Sequence, residues 1–245
     1  MKTLCFHEYK TGRGPRVLLD TDTQRDGIKL VSGLNLVVAP NGYGKSTFLQ
    51  TLGGLIRPIG GRASLEESGN IQPYQPSEHA LLISEYLTFP KFIFPHEWIE
   101  FMAGSRVDSS RLEPHWESLR LNALRNQFLG RMSQGERRKV TWLAAHASNR
   151  PVILMDEPLD GLDLLAIDAA RALLKSWEHE GKIILLIAHQ VSEVFDLSKQ
   201  TLLFEAGHLK SWEKIAGQSA EQVSTDVFRK WTHQYYSNRT TLPSP

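Results

Sequence analysis

"VVAPNGYGKSTFL", residues Val37–Leu49, is the stretch on which the fold turns. Its core, Gly44-Lys45-Ser46, is the end of a phosphate-binding loop. Upstream, Leu34–Val38 is a short apolar run that reads as a buried strand. Downstream, "STFLQTLGGL" has helical spacing, with Phe48, Leu49 and Leu52 on one side and a stop near Gly53-Gly54. A strand, a glycine-rich turn and a helix form the setting that validates such a loop. Backbone N–H groups around Gly42 to Thr47 then point at phosphate oxygens, and the helix N-terminus adds partial positive charge. Lys45 would reach the β- and γ-phosphates, and the Ser46 hydroxyl would bind Mg²⁺. The glycine expected five residues before Gly44 is Ala39. Its methyl group matters only if the backbone there needs a positive φ or very close approach. The phosphate-holding amides lie downstream, so Ala39 reads as a tolerated departure.

Working outward, "VILMDE" places Asp156 and Glu157 at the C-terminal mouth of another buried strand. In open α/β sheets that mouth is where ligands sit. Asp156 could hold Mg²⁺ through water, and Glu157 could orient and deprotonate an attacking water. A strand simply ending in solvent would also carry acids. The stretch Asp163–Gly181 starts on a cap and stops on a glycine, both helix signals. "KIILLIAH" is a third buried strand, and "TLLFEAGHL" reads as two short strands around Ala206-Gly207. Strands with little alternation, separated by helices, imply a mostly parallel sheet covered on both faces. Between Tyr86 and Phe128, prolines and the helix-like pieces "EWIEFMAG" and "WESLRLNALRNQFLG" suggest a helical insertion. Beyond Trp212 an aromatic tail suggests a helix packed on the core, then a frayed end.

The chain has 245 residues, a net charge of +1 and a hydrophobic share of 41%. That length suits one large domain or a domain with a subdomain. Near-neutral charge argues against a dedicated nucleic-acid binder. Cys5 is the single cysteine, which excludes an internal disulfide. The N-terminus turns polar too soon for a signal peptide. The longest apolar run, Ile183–Ala188, is far short of the roughly 18 residues that span a bilayer. His79, His96, His115 and His146 show no metal-ligand spacing.

With these motifs in order, the chain resembles the ATPase subunit of an ATP-binding cassette (ABC) transporter over roughly Leu34 to Leu209. "APNGYGKST" (Ala39–Thr47) resembles the Walker A loop, and "VILMDEP" (Val152–Pro158) resembles Walker B with its catalytic glutamate, Glu157. "LDGLD" (Leu159–Asp163) resembles the D-loop, and His189 matches the switch histidine that contacts γ-phosphate. "MSQGERRKV" (Met132–Val140) resembles the signature motif, usually LSGGQ. Ser133 and Glu136 also fit a capping box, which would explain both residues alone. The functional reading adds a second anion cradle at Ser133 and Gly135 that closes on ATP held by another subunit. Gln134 replaces the usual first glycine.

The resemblance implies an α/β fold: a P-loop NTPase core with a mostly parallel sheet, an N-terminal antiparallel β part and a helical subdomain insertion. Its segments would be 1–85 (N-terminal β part and P-loop core), 86–135 (helical subdomain), 136–211 (rest of the core) and 212–245 (C-terminal extension). It implies ATP and Mg²⁺ as cofactors. Asn41, Gly42, Tyr43, Gly44, Lys45, Ser46 and Thr47 would bind nucleotide, with Ser133 and Gly135 from a second copy. Glu157 and His189 would be catalytic, and Ser46 and Asp156 would hold the metal. The family's Q-loop glutamine is replaced by Glu85, a carboxylate that would still bind Mg²⁺. An aromatic from the N-terminal strands usually stacks on adenine; Tyr9 is the first candidate and Phe6 the next. Implied partners are a second ABC ATPase subunit and integral-membrane transporter subunits, with no nucleic acid, placing the chain peripherally at the cytoplasmic face of the membrane. Two other readings stay open: an ABC-type ATPase of cofactor assembly or repair, and a nucleotide-gated module with little hydrolysis. Cargo and direction are not written in the sequence.

Overall fold

The computed structural model describes residues 1–84, 87–188, 191–205, 207–217 and 225–237. Two sheets organise them. Strands β1 (Lys2–Arg13), β2 (Arg16–Thr21), β3 (Leu30–Val31), β5 (Gly60–Glu67) and β6 (Asn70–Pro73) make an antiparallel sheet centred on β1 and β5. Strands β4 (Gly33–Val38), β7 (Ala80–Ile83), β8 (Val152–Asp156), β9 (Ile183–Ile187), β10 (Ser198–Glu205) and β11 (His208–Ser211) make the second, in the order β11-β10-β4-β9-β8-β7. All its neighbours run parallel except the β10–β11 pair.

The expected absence of alternation has a direct cause. Every residue of β8 and β9 is buried. Ile184 and Leu186 face one hydrophobic core, while Ile183, Leu185 and Ile187 face another. The second core joins the two sheets through helix α2 (Lys45–Leu52), which falls in the chain between the short helices α1 (Thr23–Asp26) and α3 (Pro76–His79); its Phe48, Leu49 and Leu52 are fully buried. The Phe48 ring lies 6.0 Å from Phe6 and 6.5 Å from Phe204.

The first core is covered by α4 (Pro95–Ala103), α5 (Ser109–Ser118), α6 (Gln134–Ala147) and α7 (Leu164–His179). Trp142 of α6 and Trp177 of α7 stack at 5.5 Å with both side chains buried. Truncating either to alanine is expected to cost about 3–5 kcal/mol. Helix α7 begins where its cap predicts: the Asp163 carboxylate accepts from the Ala166 amide.

One expectation is corrected here. The piece "WESLRLNALRNQFLG" is not a continuous helix. Helix α5 starts earlier, capped by Asp108, and ends at Ser118. Arg120 takes a φ of 57°, which a continuing helix forbids, and short 3-10 turns follow at Asn122–Leu124 and Leu129–Arg131. The tail does supply a helix, α9 (Thr225–Ser237), after the short α8 (Trp212–Ala216). Its Phe228 stacks on Phe195 at 4.1 Å and meets the Trp212 ring at 5.1 Å.

Candidate functional site

Register brings the loop of residues 39–44 and the acids together. Val37 of β4 pairs with Ile187 of β9, and Ile187 pairs with Asp156 of β8. The three strands are parallel, so their C-terminal ends share one edge of the sheet. The loop after β4 and the acids ending β8 therefore open onto the same mouth. A cavity of about 440 Å³ lies there, lined by Asn41, Gly42, Lys45, Ser46, Asp156 and Glu157 among others.

The loop geometry explains its glycines. Gly42 and Gly44 have φ values of 82° and 95°, where side chains are rarely accommodated. A Cβ on Gly44 would also sit 3.0 Å from Leu18. Gly44 caps α2, so by helix geometry the amides of Lys45, Ser46 and Thr47 lack partners within the helix and face the cavity end. The Lys45 ammonium is buried and donates to the carbonyls of Ala39 and Pro40 at 2.7 and 3.2 Å. Burial lowers its pKa from the ordinary lysine value, while Glu157 and Asp156 oppose that shift.

Asp156 and Glu157 are both buried at the end of β8. The Glu157 amide donates to the Ile187 carbonyl at 3.0 Å, extending the ladder by one residue. Its φ is 49°, in the left-handed region. A non-glycine residue held there costs about 1–2 kcal/mol, and such strain gathers at functional sites.

A second cavity, about 870 Å³, lies at the tip of α6, between Ser133, Gly135, Glu136, Lys139 and the 160–163 segment. The capping box is formed: the Ser133 amide donates to the Glu136 carboxylate at 2.7 Å, and the Glu136 amide donates to Ser133 Oγ at 3.2 Å. The Ser133 hydroxyl keeps its own proton for a further acceptor. One close approach and three contacts link α6 to the segment after Glu157. A Cβ on Gly135 would lie 2.9 Å from the Gly161 carbonyl oxygen. Arg138 donates to the Asp160 carbonyl. Lys139 Nζ meets Asp163 Oδ2 at 2.7 Å, and Trp142 Nε1 donates to the Pro158 carbonyl at 3.1 Å.

Tyr9, the expected adenine-stacking aromatic, does not line the 440 Å³ cavity. Tyr9 is 4% exposed, and its ring packs 5.6 Å from Phe6, itself fully buried. Both belong to the core between the sheets, on the face of β1 that α2 covers. The wall of the 440 Å³ cavity on that side is instead Arg13 and Leu18, flanking the β1–β2 turn. Sequence reasoning missed both, since neither belongs to a motif.

A family profile described as ABC transporter matches residues 33–160, more than half of the chain. The chain belongs to the ABC transporter family. Among the relatives of this ABC chain is a putative ATP-binding protein of Brucella abortus (strain 2308), 29% identical over 69% of this chain and 66% of that protein. The molybdenum import ATP-binding protein ModC of Mycobacterium tuberculosis (strain ATCC 25618 / H37Rv) is 31% identical over 74% of this chain and 53% of its own length. The chain thus spans from about half to just under two thirds of these two relatives. A solved ATP-binding subunit of an ABC transporter superposes with a TM-score of 0.75 at 22% identity, covering 94% of this chain and 99% of that one. A dimeric ATP-binding cassette bound to ADP and Pi gives 0.66 at 19% identity, covering 85% and 96%. These likenesses establish the fold as that of an ABC ATPase domain, with its P-loop core, N-terminal antiparallel sheet and helical insertion.

Two expected site residues of the ABC chain, Glu85 and His189, lie outside the described residues. Among the described residues no cluster of His, Cys, Asp or Glu could hold a metal by itself. No helix among them is long and apolar enough to cross a membrane.

Proposed function

We propose that this chain is the ATP-hydrolysing subunit of an ABC transporter, closing as a dimer around ATP and driving membrane subunits that move a substrate across or out of the membrane. One observation carries the reading: the Lys45 ammonium and the Asp156 and Glu157 carboxylates share one cavity at a helix N-terminus. Lys45 would exchange its two carbonyl contacts for phosphate oxygens. The free amides of α2 would cradle the same group. A hydroxyl and a carboxylate are hard oxygen donors, so Ser46 and Asp156 fit Mg²⁺, with Glu85 as a further donor. Bound there, Mg²⁺ would offset phosphate charge.

Glu157 is the base for the attacking water, oriented by the backbone bond to Ile187. His189, which follows β9, would contact the γ-phosphate. Ser133 and Gly135 would complete the site of a second ABC ATPase subunit. Phe92 and Phe101 in the helical insertion are 82% and 72% exposed, an apolar surface suited to integral-membrane subunits at the cytoplasmic face. The presence of Glu157 in the cavity weighs against a binding module with little hydrolysis.

The test is Glu157→Gln. Loss of a positioned general base is expected to cut turnover by about 100-fold or more, with ATP binding retained. Wild-type turnover in that variant overturns the catalytic assignment.

A further inference from the structure

Helix α9 lies outside the matched stretch, yet it reaches the nucleotide loop. The Tyr236 hydroxyl donates to the carbonyl of Val38, the residue that leads into Ala39, at 2.9 Å. It also lies 3.2 Å from the carbonyl of Phe204 at the end of β10. Its ring meets the ring of Tyr43 edge-on at 6.0 Å, and Tyr43 sits inside the loop. The neighbouring Tyr235 points elsewhere, to the Glu205 carboxylate at 2.9 Å. In the N-terminal half of the helix, Arg229 donates to Ser192 Oγ at 3.2 Å, in the turn that follows β9. Burial holds the Tyr236 phenol above the ordinary tyrosine value, so the hydroxyl stays a donor.

These contacts bracket the loop. Val38 fixes where the chain leaves the sheet, and Tyr43 fixes the turn whose amides face the cavity. We infer that α9 is part of the nucleotide site, with Tyr236 as the positioning residue that holds the loop in its phosphate-ready shape. The inference rests on the nucleotide reading above. Linkage makes the effect reciprocal: if α9 docking favours nucleotide binding, bound nucleotide must favour α9 docking by the same factor.

The experiment uses the full chain. ATP affinity is measured by calorimetry for wild type, Tyr236→Phe, Tyr236→Ala, the control Tyr235→Phe and the null Lys45→Ala. Amide exchange across 225–237 is followed with and without ATP. Tyr236→Phe keeps the ring and loses the hydroxyl bonds, so about a three- to tenfold weakening is expected. Tyr236→Ala weakens binding further, and Tyr235→Phe stays within about twofold. ATP slows exchange in α9 of the wild type and not in Lys45→Ala. Wild-type affinity in both Tyr236 variants overturns the inference alone, as does equal damage from Tyr235→Phe or exchange in α9 that ignores ATP. A wild-type chain that binds no ATP overturns the nucleotide reading beneath it.

Discussion

The Lys45 ammonium donates to the Ala39 carbonyl oxygen at 2.7 Å, so the residue that departs from the expected glycine contributes through its backbone. Ala39 has no positive φ, and no left-handed turn there calls for glycine. Ala39→Gly is therefore expected to keep ATP affinity within about threefold, the size of a loop-entropy effect. Lys45→Ala should abolish measurable binding. A change beyond about tenfold in Ala39→Gly would mean that the methyl group steers the loop.

Arg13 and Leu18, and not Tyr9, line the cavity beside the β1–β2 turn. A guanidinium stacks on a base face with little regard to which base it is. Arg13→Ala should weaken ATP and GTP alike by about 3- to 30-fold. Binding of inorganic tripolyphosphate, which has no base, should be unchanged. Equal losses for ATP and tripolyphosphate would assign Arg13 to the phosphates instead.

Glu136 holds the Ser133 amide, but it also sets a carboxylate at the helix tip that a second subunit's phosphate would approach. Glutamine can accept the same hydrogen bond without the charge. Glu136→Gln in a Glu157→Gln background should leave the melting temperature within a few degrees. It should also increase the ATP-dependent dimer seen by light scattering. A weaker dimer would argue against phosphate at that tip.

His146 is buried, and Trp177 Nε1 donates to its Nδ1 at 3.1 Å. Burial, then the neighbouring His115 and Arg111, pull its pKa from 6.5 to about 4, with Glu180 opposing and Lys182 assisting. The sign follows: the unfolded chain takes up this proton more readily than the folded one. Stability from the neutral ring is complete above about pH 6.5 and falls as the pH drops towards about 4. Denaturant titrations of wild type should show that decline. His146→Gln, which can still accept from Trp177, should flatten it by about one proton's worth of slope. A residual slope is expected, because burial also lowers His115. Identical slopes would remove His146 from the account.

The legible parts of this chain carried local signals. Strand β4, the glycine turn and α2 are contiguous, and the Asp163 cap marks the start of α7 on its own. The acids at the end of β8 were legible for the same reason, and register then placed them beside Lys45. What failed depended on distance. An aromatic in an N-terminal strand reads alike whether it faces solvent or core. Tyr9 is interior because α2 packs over its face of β1, a fact with no local mark. Arg13 reaches the cavity through a hairpin whose register shifts between Thr11 and Gly12. The end of α5 lacks a glycine stop; Arg120 takes the left-handed turn. Tyr236 and Val38 stand 198 positions apart, beyond any pattern of spacing.

The ties from α6 to the segment after Glu157 have a consequence for timing. Arg138, Lys139 and Trp142 each hold that segment, so the Ser133 tip and Glu157 are joined through one set of side-chain contacts. In the dimer proposed above, each half would register the state of the opposite nucleotide through its own base. The two cleavage events would then keep a shared clock rather than fire independently.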